Sequence, residues 1–433
     1  MNIVQIIPGS GGSFYCGNCM RDSKFVDALR KEGHQVIKVP MYLPLFSDEH
    51  DLDEVPVFYG AISIYLKQLY PIFRKAPLWF DNLLNSKPML KLAASMAGST
   101  NATGLDEMTV SMLLGEDGKQ KEELERMVDW IGEHLKPDVI HISNALLLGL
   151  ARRIRERIGV PVVCSLQDED VWVDVMKPAS RDLVWKLMHE KSTDVDAFIA
   201  VSQYYGKLMK ERMHLPDEKI FPVYLGVDPE EYEFIPSTKK DRSIGYISRM
   251  CPENGFDIVI DAFILLKQKP EFSDVKLILT GGSTAVDTKY IKMLKRRIDR
   301  AGLHNDVDFH EEFEGPARKE FFNKVAIGSV PVRNGEAFGM YLPELMASGI
   351  PIVQPALGAF PEIVKLSGGG MVYEPNTPEV LAKSWTELLA DSDKLERMSF
   401  QARKGVNEFF NIYDHSREMI DIYKKLIDNA TST

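Results

Sequence analysis

Short apolar runs and amphipathic stretches alternate along most of this chain. Residues 3–7 form an apolar run interrupted only by Gln5, and the run ends in Pro8-Gly9-Ser10-Gly11-Gly12-Ser13. Periodicity then predicts a helix over 21–31, closed by Gly33, and a second strand over 34–39. Strand, glycine-rich loop, helix and strand in this order open a doubly wound parallel sheet. The alternation lapses between 40 and 120, where aromatic and aliphatic residues crowd together and prolines at 40, 44, 56, 71, 77 and 88 break the chain. It resumes with a helix at 122–135 and a strand at 139–142. Leu147, Leu150, Ala151, Ile154 and Ile158 then share one face at period 3.6. A strand at 160–166, a helix at 181–191 and a strand at 197–201 follow. Ser202 is an N-cap for a helix at 204–212, and a strand at 219–224 ends the series.

The polar stretch 234–241 reads as a linker, which places a domain boundary at 235/236. Beyond it the pattern repeats: strands at 243–247, 275–279, 307–310, 327–332, 351–353 and 371–373, with helices at 257–267, 289–300 and 378–390. Two amphipathic helices, 394–408 and 414–427, finish the chain. The fold class is therefore α/β, with two doubly wound Rossmann-like domains.

Composition narrows the function classes. The chain has 433 residues, 45% hydrophobic and 27% charged, which suits a globular protein of two or three domains. A net charge of −11 argues against a nucleic-acid partner and against a polybasic membrane anchor. Residues 1–8 lack the layout of a signal peptide, and no apolar run approaches the ~20 residues that span a bilayer. With four cysteines in the whole sequence, these features predict a cytoplasmic protein.

The richest stretch for chemistry is 335–353. It sets Glu336 and Glu344 eight positions apart, separated by a loop with Phe338-Gly339 and the start of a helix over 341–348. Gly349 can close that helix in the left-handed conformation, and Pro351 begins an apolar strand. The backbone N–H groups of Gly339, Met340, Tyr341 and Leu342 suit a diphosphate. Glu336 would accept from sugar hydroxyls and Glu344 from ribose hydroxyls. Elsewhere, Cys16-Gly17-Asn18-Cys19 has the spacing of a redox or zinc half-site. No further close pair completes it, and packing of the loop is the preferred reading.

Glu336, Phe338, Gly339, Glu344, Ala347, Gly349 and Pro351 together resemble the donor-site motif of the retaining glycosyltransferases of family 4, which have the GT-B fold. The resemblance extends to Gly33-His34-Gln35-Val36 and to Leu225-Gly226-Val227-Asp228. It implies two Rossmann-like domains facing across a cleft: an acceptor-side domain over 1–235, a donor domain over 236–410, and a terminal helix, 411–433, that returns to the N-terminal domain through Tyr413, Ile420 and Tyr423. It further implies that Gly11, Gly12, Gly281 and Gly282 lie near the nucleotide, that Arg249 grips the diphosphate, and that Glu336 holds the sugar at the catalytic centre. Two positions depart from the family. Gln167 stands where a histidine is usual, leaving a positioning role shared with Asp168. Asn254 replaces a lysine, with Lys324 and Arg333 as substitute cations. His310 and Phe313 are candidates for base contacts. The aromatic 40–120 insertion would form an acceptor wall, or equally a small core of its own or a dimer contact. A peripheral membrane contact through Leu78-Trp79-Phe80 is the lesser alternative. The implied activity is transfer of a hexose from a nucleoside diphosphate sugar, such as a UDP-sugar, to a hydroxyl acceptor. It needs no metal and no cofactor, and is of a bacterial carbohydrate-biosynthesis type. A weakened sugar-nucleotide binder and a GT-B-like epimerase or phosphorylase are the rivals.

Overall fold

The computed structural model describes residues 1–8, 17–41, 106–310, 312 and 314–431. Gly11, Gly12, Cys16, Phe313 and the insertion at 42–105 lie outside the described residues, as does the side chain of Cys19. The chain divides into two compact units. One takes its described residues from 1–8, 18–41, 106–223 and 416–431; the other consists of Gly17 and Tyr224–His415. The division falls at 223/224, ahead of the polar 234–241 stretch that composition singles out.

Among the described residues, the first unit holds a six-stranded sheet of β1 (Asn2–Ile7), β2 (Gln35–Pro40), β3 (Val139–Ile142), β4 (Val162–Leu166), β5 (Ala197–Ala200) and β6 (Ile220–Pro222). Their order is β2-β1-β3-β4-β5-β6, with every pairing parallel. β3, β4 and β5 are buried along their whole length, as expected of apolar runs covered on both faces. Ser202 caps the helix Gln203–Met213, accepting from the Tyr205 N–H at 3.1 Å.

A polar row crosses this sheet. Gln5 stands in register between Lys38 on β2 and His141 on β3, and all three are buried. The His141 ring bonds Tyr423 Oη at 2.5 Å and Ser165 Oγ at 2.8 Å. Burial, assisted by the Arg21 charge, pushes the imidazole down to about 3, so the ring is neutral. Tyr423 and Ile420 of the helix Ile412–Thr431 are thus buried in the first unit. Tyr413, expected to act with them, instead donates to Asp228 Oδ2 at 2.6 Å within the second unit.

The second sheet comprises β7 (Ser243–Ile247), β8 (Lys276–Thr280), β9 (Val307–Phe309), β10 (Ile327–Gly328), β11 (Ile352–Pro355) and β12 (Gly370–Tyr373). Its order is β12-β11-β10-β7-β8-β9, again all parallel. The chain therefore reverses direction across the sheet between β7 and β10. β10 is shorter than the apolar run 327–332 predicts. The Val330 N–H goes to Gln354 Oε1 at 3.1 Å, and Pro331 has no N–H to offer, so the ladder stops. A helix at Gly315–Lys324, with Pro316 in its first turn, has no counterpart in the sequence reading.

Candidate active site

Ligands of open α/β sheets bind at the carboxyl ends of strands, where the strand order reverses. In the second unit that place is the crevice between β7 and β10. The loop after β7 brings Arg249 and Asn254 there, and the loop after β10 brings Glu336. Tyr246 on β7 ties the two together. Its hydroxyl donates to Arg249 O at 2.8 Å, and the Glu336 charge contributes to the rise of its pKa, which burial dominates.

Arg249 already has an anionic partner. Its Nε and Nη2 each lie 2.9 Å from Asp287 oxygens, and Nη2 also reaches Thr284 Oγ1 at 3.3 Å. Burial would raise the Asp287 carboxyl, but the Arg249 and Thr284 hydrogen bonds outweigh it and hold it below the usual range. The sequence reading missed Asp287. Asn254 turns back on its own loop, donating to Ser248 Oγ at 2.8 Å and to Arg249 O at 3.3 Å. Of the substitute cations, Arg333 reaches this loop, donating to Pro252 O at 2.9 Å and Asp257 Oδ2 at 2.6 Å. Lys324 pairs instead with Glu320 on its own helix.

Gly281 permits a close approach, but to the protein's own backbone. Its φ is +117°, and a Cβ there would come within 2.3 Å of Ser248 O. Gly282 O accepts the Met250 N–H at 3.0 Å. These glycines hold the β7 and β8 loops side by side. His310 is half-buried at the end of β9, its N–H on Leu279 O at 2.8 Å.

Glu336 is half-buried, and a Cβ on Gly339, whose φ is +92°, would lie 2.9 Å from its Oε2. The carboxylate thus rests beside the Gly339 backbone, whose left-handed φ favours glycine. Phe338, Met340, Tyr341 and Leu342 are core side chains, at most 3% exposed. Phe338 packs on Phe410 and Tyr224. Any contact of these four with a donor would come from the backbone, and the Leu342 N–H is already taken by Gly339 O at 3.0 Å.

Glu344 differs most from expectation. On the helix Tyr341–Ala347 it is fully buried, accepts from Tyr232 Oη at 2.7 Å and forms an ion pair with Arg318. In this conformation its carboxylate braces the unit's interior and presents no surface to a ribose. Arg318 belongs to the helix at Gly315–Lys324 that the sequence pattern did not reveal.

In the first unit, Gln167 and Asp168 follow β4. Gln167 is 7% exposed, and its amide donates to Ser143 O at 2.7 Å. Arg21 Nη2 donates to the same carbonyl at 3.2 Å. Asp168 is half-buried, with a left-handed φ of +53° that aspartate tolerates better than most residues. Beside them stands Glu169, which the sequence reading passed over. It is 1% exposed, and burial raises its carboxyl to about 7 despite several hydrogen bonds.

Comparison with known proteins bears on the fold and the family. The model for glycosyltransferase family 4 matches residues 118–231, and that for glycosyl transferases group 1 matches 228–405. An uncharacterised glycosyltransferase of Methanocaldococcus jannaschii is 23% identical over 317 residues, covering 70% of this chain and 79% of that protein. A D-inositol 3-phosphate glycosyltransferase of Thermobispora bispora is 24% identical, covering 63% and 67%. Anabaena HepE, solved in complex with UDP, superposes with a TM-score of 0.68 at 18% identity over 98% of this chain and 100% of that one. Sucrose-phosphate synthase from Thermosynechococcus elongatus gives 0.70 at 15% identity over 99% of each chain. No described helix is long and apolar enough to cross a membrane. With both sheets, their strand order and two family models running in succession from 118 to 405, the chain is a glycosyltransferase of the group 1/family 4 type, built on the GT-B fold.

Proposed function

We propose that this protein transfers a hexose from a nucleoside diphosphate sugar to a hydroxyl acceptor, with retention of anomeric configuration and without a metal ion. The observation that carries the reading is the half-buried Glu336 resting on Gly339 at the strand-reversal crevice, beside the Arg249 loop. UDP-linked hexoses head the candidate donors, since HepE has been solved with UDP-glucose as well as with UDP.

In this reading the Arg249 guanidinium and Arg333 face the diphosphate, and Glu336 holds sugar hydroxyls. The anomeric carbon–oxygen bond to phosphate breaks, and the acceptor oxygen bonds the same face of that carbon. The acceptor's proton passes to the departing phosphate oxygen. Charge grows on that oxygen as the bond breaks, so a guanidinium there stabilises the transition state more than the ground state. Gln167 and Asp168 position the acceptor or sugar hydroxyls. Glu344, buried on Arg318 and Tyr232, supports the donor site from within.

A second reading, a sugar-nucleotide binder with little turnover, is favoured by Asn254, whose amide is turned onto Ser248 and Arg249 and brings no charge. An epimerase or phosphorylase on the same fold is the remaining rival. Hydrolysis of a panel of UDP- and GDP-hexoses without acceptor, followed by NMR of the released sugar, separates them. Release of the donor's own anomer supports retaining transfer. Binding without turnover assigns the binder, and inversion of the anomer overturns retention.

A further inference from the structure

Around β4 of the first unit, one buried carboxylate gathers three donors from three places in the chain. Glu169 Oε1 accepts the Ala145 N–H at 2.9 Å, at the start of the turn that follows β3. Oε2 accepts the Gln167 N–H at 2.6 Å and the Tyr205 hydroxyl at 2.8 Å, from the helix Gln203–Met213. We propose that Glu169 is a positioning residue: its carboxylate clamps the exits of β3 and β4 together and so sets where the Gln167 amide and the Asp168 carboxylate are presented. The proposal rests on the reading of Gln167 and Asp168 as hydroxyl-positioning groups.

Two further features show that the clamp is built in. Asp168, between Gln167 and Glu169, is held in the left-handed region, a conformation that costs a non-glycine residue energy and persists where the surroundings hold it. The Gln167 side-chain amide is fixed as well. Its Nε2 donates to the Ser143 carbonyl, which can only accept, so the amide oxygen, buried and without a hydrogen bond among the described residues, is fixed as the acceptor end.

Tyr205 gives the clamp a second state. Its hydroxyl oxygen lies 2.8 Å from Glu169 Oε2 and 2.9 Å from Asp170 Oδ1, and its single proton can serve one of them at a time. With Glu169 ionised, the phenol donates to it. With Glu169 protonated, the carboxylic acid donates to the phenol oxygen and the phenol donates to Asp170. Oε2 then carries a proton in place of part of its acceptor capacity, and the Gln167 N–H loses its strong partner. Among the described residues, the other titratable groups on this site are Asp168 on the same turn and the buried Cys164 thiol on β4, on which both the Glu169 and Arg21 charges act. With the Glu169 carboxyl raised to about 7, both states are populated near neutral pH.

The test follows the Gln167 backbone amide proton by NMR in the full chain between pH 5 and 9, with turnover of UDP-glucose measured over the same range. The expected result is titration of that amide with a midpoint near 7, abolished in Glu169→Gln and shifted upward in Tyr205→Phe, which removes a donor to the charged form. An amide that does not titrate, or that titrates unchanged in Glu169→Gln, overturns the proposal whatever the activity. In turnover, Glu169→Gln should lower kcat about tenfold or more, leave the KM for UDP-glucose within about threefold, and lose the acid limb of the wild-type profile. A lower kcat with that limb unmoved would mean a merely structural carboxylate and also overturns it. Tyr205→Phe keeps the test decisive if Glu169→Gln does not fold. Absence of wild-type turnover would sink the transferase reading alone, because the amide titration decides the clamp independently.

Discussion

Arg249 and Asp287 form a two-pronged ion pair, with Nε and Nη2 each 2.9 Å from a different carboxylate oxygen. The guanidinium assigned to the diphosphate is thereby held in place and partly neutralised. Asp287→Asn keeps an oxygen for Thr284 and removes the opposing charge. UDP should bind it about two- to tenfold more tightly, roughly 0.5–1.5 kcal/mol, measured by calorimetry. Unchanged or weaker binding would show that orientation of Arg249 outweighs its net charge.

In the proposed reading Asn254 stands where the resembled family has a lysine, and it brings no charge. Asn254→Lys gives up the bonds to Ser248 and Arg249 and places an ammonium beside the leaving diphosphate. Hydrolysis or transfer should rise mainly through kcat, by about 1–3 kcal/mol or roughly five- to a hundredfold. Equal turnover in a folded variant would mean that Arg333, already bonded to Pro252 of that loop and to Asp257 of the helix after it, fills the role.

Glu344 and Arg318 are a buried pair, at 0% and 14% side-chain exposure. Glu344→Ala leaves the guanidinium in the interior without this partner and should destabilise the second unit by about 3–5 kcal/mol. Replacing both, Glu344→Leu with Arg318→Met, should restore most of that loss. Urea denaturation of the three proteins is the measurement. A Glu344→Ala protein as stable as wild type would return the residue to a surface role at the ribose.

His141 makes the first unit sensitive to acid. Its folded pKa, about 3, lies below the ordinary 6.5, so the unfolded chain binds the proton first as pH falls. Stability from the neutral, buried ring is fully present above 6.5 and is lost progressively toward 3. Between pH 7 and 4.5 the loss should be on the order of 2–3 kcal/mol, and His141→Asn should flatten that slope. Equal slopes for both proteins, read by urea titration at each pH, would show that the ring meets acid without cost.

What the sequence determined by itself was local. Apolar runs at 3–7, 139–142, 160–166 and 243–247 carry strands, the third beginning at Val162, because a strand buried on both faces needs little beyond a continuous apolar run between turn residues. The Ser202 cap and the left-handed Gly349, φ +74°, were likewise legible, since each follows from one residue's own chemistry. The Glu336–Glu344 spacing pointed to a loop that the fold places where the strand order reverses. It could not separate a half-buried carboxylate resting on a glycine from one enclosed by Arg318 and Tyr232. Those partners stand 26 and 112 positions away, and the helix carrying Arg318 has no strong apolar face to announce it. The same holds for Asp287 with Arg249 and for Glu169 with Tyr205, 38 and 36 positions apart. A charged letter in a sequence states its chemistry but neither its burial nor its partner. Those are decided only when parallel strands bring their carboxyl-end loops together and the packing of several elements settles which side chains face water.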